Sequence, residues 1–167
     1  MDIDVNELLD QMSRNLAQNL HDARCDNPLV VGVRTGGVWI AQRLHERLGT
    51  DSPLGELNIA FYRDDFSRIG LHPTVEPSNL PFDVNERNLI LVDDILYTGR
   101  TIRAAMNEIF DYGRPASIRL VALVERGGRE LPIQADVVGM RLSLKASEHV
   151  KLHGPDPLRL ELYKAKP

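Results

Sequence analysis

Three short aliphatic runs constrain this chain most: PLVVGV at 28–33, NLILVD at 88–93 and SIRLVALV at 117–124. They are apolar at nearly every position rather than at every second one, the pattern of strands buried on both faces. A helical period separates them. Val38, Ala41, Leu44 and Leu48 lie on one helical face that ends at Gly49, and Ile102, Ala105, Met106, Ile109 and Phe110 mark another, closed by Gly113 and Pro115. A third amphipathic helix opens the chain, with Val5, Leu8, Leu9, Met12, Leu16 and Leu20 at i, i+3, i+4 spacing. Further strands are expected at 56–62 and near 136–140 and 158–163. Strands alternating with helices call for an α/β fold: one domain over 1–167, with a mainly parallel, twisted sheet flanked by helices. Ligands of such sheets bind beyond the carboxyl ends of the strands. That rule brings the loops 34–37, 93–101 and 125–130 to one rim.

The remaining bulk properties narrow the setting. A length of 167 residues suits one domain, and 43% hydrophobic with 26% charged residues is the balance of a globular protein. No aliphatic run exceeds five residues, too short to span a bilayer, and MDIDVNELLDQ lacks the basic and apolar regions of a signal peptide. A single cysteine, Cys25, fits a reducing cytoplasm and reads as structural filler. The net charge of −4 argues against a strongly electrostatic nucleic-acid binder. Charge is uneven, however. Residues 1–26 carry six acids against Arg14 and Arg24, whereas 114–129 carries Arg114, Arg119, Arg126 and Arg129 against Glu125 alone. Residues 64–86 hold three prolines and no sustained period, and a loop of this length is expected to be a lid.

The stretch LILVDDILYTGRT, 89–101, carries the most chemistry. Thr98, Gly99, Arg100 and Thr101 stand where a strand gives way to a helix. Backbone N–H groups there suit phosphate, glycine permits close approach and hydroxyls add donors. Neither the P-loop nor the dinucleotide glycine pattern is present. Asp93 and Asp94 would repel phosphate but suit vicinal hydroxyls or a divalent cation. Phosphate donors beside diol acceptors describe a pocket for a ribose 5-phosphate. The residues alone leave two other readings open: a strand end with a helix cap, and a phospho-accepting receiver domain. The latter needs a second acid cluster, which 30–34 does not supply.

Four aliphatics, two acids, a short spacer and TGRT resemble the phosphoribosyl diphosphate (PRPP) signature of type I phosphoribosyltransferases. More narrowly, ILVDDILYTGRTIRAAMNEIFDYGRPASIRLVALVERGGRELPIQAD, GELNIAFYRDD (55–65) and LPFDVNERNLILVDD (80–94) are similar to the PyrR family, pyrimidine operon regulators that are also uracil phosphoribosyltransferases. The resemblance covers about 28–139. It implies the phosphoribosyltransferase fold, with that core, a lid loop at about 64–86 and a hood built from the N-terminal helix region and about 130–167. It implies that Asp93 and Asp94 hold the ribose hydroxyls and bear indirectly on magnesium, the cofactor that accompanies PRPP. Tyr97, Thr98, Gly99, Arg100 and Thr101 would bind the 5-phosphate. Arg34, Thr35, Gly36 and Gly37 would form the pyrophosphate loop, and Tyr62, Arg63, Asp64 and Asp65 would open the lid. The segment 124–130, with Val124 and Arg126, and the stretch at Val138 and Gly139 would form the uracil pocket, largely through backbone contacts. Implied partners are uracil, PRPP, UMP or UTP and pyr leader mRNA, in a homodimer or homotetramer.

The chain departs from the family pattern on this rim. The pyrophosphate loop has Gly36 where relatives carry arginine, RGHRE becomes Arg126-Gly127-Gly128-Arg129-Glu130, and GKNIPTS becomes Gly139-Met140-Arg141-Leu142-Ser143-Leu144-Lys145. Arg34 is a candidate replacement for the lost arginine. These changes leave open a weakly catalytic nucleotide sensor and a phosphoribosyltransferase for another base. The acidic N-terminal helix weighs against RNA, for which Arg114, Arg119, Arg126, Arg129 and Arg141 offer a compensating patch. His72, His149 and His153 have no metal-ligand spacing and are expected at the surface, and Trp39 is expected to pack rather than stack on a base.

Overall fold

The computed structural model describes residues 3–59 and 77–165. Helix α1 (Val5–Asp22) starts where the Asp4 carboxylate accepts hydrogen bonds from the N–H groups of Asn6 and Glu7, at 2.9 and 3.1 Å. Strand β1 (Leu29–Val33), helix α2 (Gly36–Leu48) and the short strand β2 (Gly55–Leu57) follow. Then come β3 (Asn88–Leu96), α3 (Arg100–Tyr112), β4 (Ser117–Arg126) and β5 (Val137–Leu142), before the hairpin of β6 (Glu148–His153) and β7 (Arg159–Lys164).

β1 to β5 form one sheet in the order β2-β1-β3-β4-β5, with every pair parallel; β6 and β7 pair antiparallel in a separate ribbon. The aliphatic runs explain the layering. Successive side chains of a strand point to opposite faces, and here Val30, Ile90, Val92, Val121 and Leu123 enter one core while Leu29, Val31, Leu89, Leu91, Leu120 and Ala122 enter the other. The first core is closed by α1 and α2 and by Leu152 and Leu160 of the hairpin. The second is closed by Ile102, Ala104, Ala105 and Ile109 of α3. Trp39 packs against the first core, as its place on α2 suggested, and so does half-buried Cys25.

Several boundaries differ from the expectation. β3 runs to Leu96, so Asp93 and Asp94 lie inside a strand and not at its tip. The predicted strand 56–62 is represented by β2, and 60–62 fall outside the described residues. Strand β6 was not expected from the sequence, whereas its partner β7 matches the strand expected near 158–163. Phe110 is 56% exposed and does not join the apolar face of α3. His149 and His153 are half-buried rather than exposed: one ring stacks on Tyr163 at 5.4 Å and the other lies 2.6 Å from Glu161. Among the described residues, no helix is long and apolar enough to cross a membrane.

Candidate functional site

The site begins with a mismatch in strand length. The β1–β3 ladder ends at Gly32↔Val92, whereas β3 and β4 stay paired as far as Leu96↔Glu125. Asp93 and Asp94 therefore sit on a strand whose neighbour has just ended, and the turn into α2 crosses the vacated edge. That turn is close. A Cβ on Gly37 would lie 2.6 Å from the Val92 carbonyl, and one on Gly36 would overlap the Asp94 carboxylate, with its Cγ 2.7 Å away. Asp93 is buried, and its Oδ1 accepts from the Asp94 N–H at 3.0 Å. Asp94 is half-buried; its Oδ1 accepts from the Ile95 N–H at 2.9 Å, and among the described residues no cation pairs with it. Thr35 is exposed at the N-terminus of α2. Arg34 directs Nε and Nη2 to Glu56 Oε2, at 2.9 and 2.7 Å. Glu56 is tied in turn to Asn79 by two backbone hydrogen bonds of 2.8 Å. Arg34 is thus paired with Glu56 of β2.

The second part is the turn from β3 to α3. Gly99 is the N-cap of α3, with φ at +94° and the Ile133 side chain 3.0 Å from where a Cβ would stand. Only glycine adopts this conformation readily. Thr98 Oγ1 accepts from the Arg100 N–H at 3.2 Å, and the Thr98 carbonyl accepts from the N–H groups of Glu130 and Leu131 at 3.0 and 3.1 Å. The first intrahelical bond runs from Arg103 N–H to Gly99 carbonyl at 2.9 Å, so the first-turn amides at Thr101 and Ile102 precede the helical ladder. The Arg100 side chain places its Nε 2.9 Å from Glu130 Oε2 in an exposed pair.

A cavity of about 350 Å³ opens beyond the ends of β3, β4 and β5, with Leu96, Tyr97, Arg126, Ile133, Arg141 and Leu142 in its wall. Arg126 is 8% exposed, its guanidinium carbon lies 4.0 Å from the centre of the Tyr97 ring, and its Nε has no hydrogen-bond partner. Gly128, at φ +112°, stands where a Cβ would come within 2.6 Å of that ring. Glu125 is held by Arg141 at 2.7 Å.

Of the four residues expected around a base, only Arg126 lines this cavity. Val124 is fully buried in the first core, Val138 packs against the second, and Gly139 faces the Leu123 carbonyl and Met12. Met140 also packs into the first core, so the departure at 140 lies outside the cavity wall. One step along a strand reverses the face a side chain occupies. The wall is built from the last residues of the strands and those just after, including Leu96, Gln134 and Ser143, which carry no motif. Tyr97, expected at the phosphate turn, instead faces Arg126. Tyr62, Arg63, Asp64 and Asp65 lie outside the described residues. The expected arginine patch is split: Arg119 and Arg126 stand at opposite ends of β4, seven residues apart, or roughly 23 Å.

Comparison with known proteins agrees with this architecture. The family model described as the phosphoribosyl transferase domain matches residues 3–153. A bifunctional protein PyrR of Nitrosococcus oceani is 60% identical over 160 residues, covering 92% of this chain and 90% of that one. A bifunctional protein PyrR of Pseudomonas fluorescens is 57% identical over 155 residues, covering 93% and 92%. Among solved structures, a hypoxanthine phosphoribosyltransferase of Staphylococcus aureus superposes with TM-score 0.62 at 22% identity, covering 81% of this chain and 73% of its own. A hypoxanthine-guanine phosphoribosyltransferase of Bacillus anthracis gives 0.66 at 18% identity, covering 86% and 83%. The latter two speak for the fold alone. By the family model and by identity over most of its length, the chain belongs to the phosphoribosyltransferases, in their PyrR branch.

Proposed function

We propose that this protein transfers the 5-phosphoribosyl group of PRPP to uracil, releasing diphosphate and forming UMP, and that the same site senses pyrimidine nucleotides in a regulator of pyrimidine genes. One observation carries the reading: the Asp93–Asp94 strand, the Gly36–Gly37 turn and the Thr98–Thr101 turn meet at one rim beside a cavity large enough for a base. In this reading Asp93 and Asp94 accept the ribose hydroxyls, and the amides and hydroxyls of Thr98 and Thr101 hold the 5-phosphate. The amides of Thr35 to Gly37 meet the diphosphate. Tyr62 to Asp65 and the following loop cover the substrates, and the hairpin contributes to a hood.

Magnesium fits the donor set. It binds through one or two carboxylates together with substrate phosphates and retained water, rather than in an all-protein cage. Asp94, a half-buried carboxylate with no cation partner among the described residues, suits that role directly or through water. When bound, the ion neutralises charge on the departing diphosphate. The chain's own groups orient the sugar and exclude water.

A second reading, a sensor with little turnover, draws support from the diphosphate loop: Gly36 supplies no side chain and Arg34 is held by Glu56. Binding to pyr leader RNA is part of the regulatory proposal, with exposed Arg129 and Arg141 beside the cavity as its cations. A homodimer or homotetramer and a cytoplasmic setting complete it. Incubation with uracil, PRPP and magnesium tests the enzyme directly. UMP formation that is lost in Asp94→Asn supports it, while nucleotide binding without UMP supports the sensor.

A further inference from the structure

Arg126 stands apart from the other cations of the chain. It is 8% exposed, its buried Nε has no hydrogen-bond partner, and among the described residues its guanidinium forms no ion pair. The nearest acid in sequence, Glu125, is taken by Arg141 at 2.7 Å. What holds the guanidinium is the Tyr97 ring, 4.0 Å beneath it. Gly128 leaves that ring its place, since any side chain there would collide with it. A buried cation without a counter-charge is costly unless a ligand completes its surroundings. A guanidinium has five donors and no acceptor. Arg126 also lines the cavity beyond the strand ends, so the missing partner is an acceptor-rich ligand in that cavity.

The inference rests on the transferase reading above and extends it. In that reaction a bond forms between the uracil N1 and the anomeric carbon, while the bond from that carbon to the diphosphate oxygen breaks. The diphosphate leaves with the bonding pair, and the N1 proton passes to solvent. As N1 loses its proton, negative charge spreads by resonance onto both carbonyl oxygens of the ring. A donor-only cation touching either oxygen binds this anionic form more strongly than the neutral base, and more so in a cavity shielded from water. We propose that Arg126 is a catalytic residue that reads a carbonyl oxygen of the pyrimidine and stabilises the charge developing on it, with Tyr97 as its positioning residue. The side chain of Arg126, rather than strand backbone alone, thereby selects bases that become oxyanions. The other charged or titratable groups in the wall are Tyr97 itself, Arg129 and the Glu125–Arg141 pair.

The test compares uracil with the more acidic 5-fluorouracil as acceptors in the full-length protein, with PRPP and magnesium saturating. If Arg126 stabilises the anion, Arg126→Gln lowers kcat/KM for uracil roughly 10²-fold and for 5-fluorouracil several-fold less, because the acidic base needs less help. Arg126→Lys recovers part of the loss. Tyr97→Leu shows the same bias toward the acidic base, and Tyr97→Phe, which keeps the ring face, shows less of it. Calorimetric PRPP affinity, unchanged in Arg126→Gln, reports that the fold and the sugar-phosphate site are intact. Equal losses on both bases, or a PRPP affinity that falls in step with turnover, would overturn the assignment to Arg126 while leaving the transferase reading in place. A wild-type protein that forms no nucleotide from either base would remove the transferase reading and this inference together.

Discussion

Asp94 and Gly36 share one space. The carboxylate lies where a side chain at position 36 would stand, so a larger residue there requires the end of the Asp94 side chain to move. Returning an arginine to this loop therefore works against the site. Gly36→Arg is expected to displace Asp94 and to raise the KM for PRPP about tenfold or more, a loss of about 1.4 kcal/mol of binding. Steady-state kinetics against PRPP measures it, and improved turnover would show that the carboxylate moves aside at no cost. Asp94→Asn separates function from stability. With no cation beside it among the described residues, its charge contributes little to the fold. The amide should leave the melting temperature unchanged or slightly raised while lowering kcat/KM by roughly 10²-fold, the pattern of a site that trades stability for activity. Paired thermal unfolding and kinetics test both halves.

The turn into α3 is the element most exposed to a single change. At φ +94°, with Ile133 already 3.0 Å from the Cβ position, alanine at Gly99 meets both backbone strain and a contact. Gly99→Ala should cost about 1–2 kcal/mol, which for a chain of this length corresponds to a melting point lower by about 2–8 °C. It should also weaken PRPP binding, since the first-turn amides shift with the cap. Thermal unfolding with and without PRPP separates the two effects. The strands behave differently. Leu91 is fully buried in the second core, and Leu91→Ala should cost about 2–5 kcal/mol without altering the rim. Chemical denaturation of that variant, with PRPP affinity measured on its folded fraction, would check this. These elements were the readable part of the chain. LVVGV, LILV and LVALV report burial on both faces directly, because they carry no polar side chain.

Net charge and its placement govern the regulatory proposal. The chain carries −4, and Arg114 and Arg119 are separated from Arg126, Arg129 and Arg141 by the length of β4. If RNA is bound through Arg129 and Arg141 beside the cavity of one chain, at most about two phosphates are neutralised per protomer. For a single strand, log Kobs should then fall with log salt at a slope no steeper than about −1.4 per protomer. A salt titration of leader RNA binding reads this, and a much steeper slope would require basic surface elsewhere. Ligand linkage supplies a second measurement. PRPP at about a hundred times its Kd should add about 2.7 kcal/mol to stability, raising the melting temperature by about 5–11 °C, and Asp94→Asn should remove most of that gain.

Local chemistry carried the order of strands and helices and the rim where their loops converge. Each of those depends on residues close together in the chain: apolar runs, helical spacing and the turn chemistry of glycine and threonine. Which side chains face the cavity depended instead on where neighbouring strands stop. β1 ends at Val33 while β3 continues to Leu96, and that difference sets Asp94 against Gly36. The cavity takes Arg126, the last residue of β4, and leaves Val124, Val138 and Gly139 to packing contacts farther inside the strands. Such relations join residues that are distant in the chain, and no window of neighbouring residues contains them.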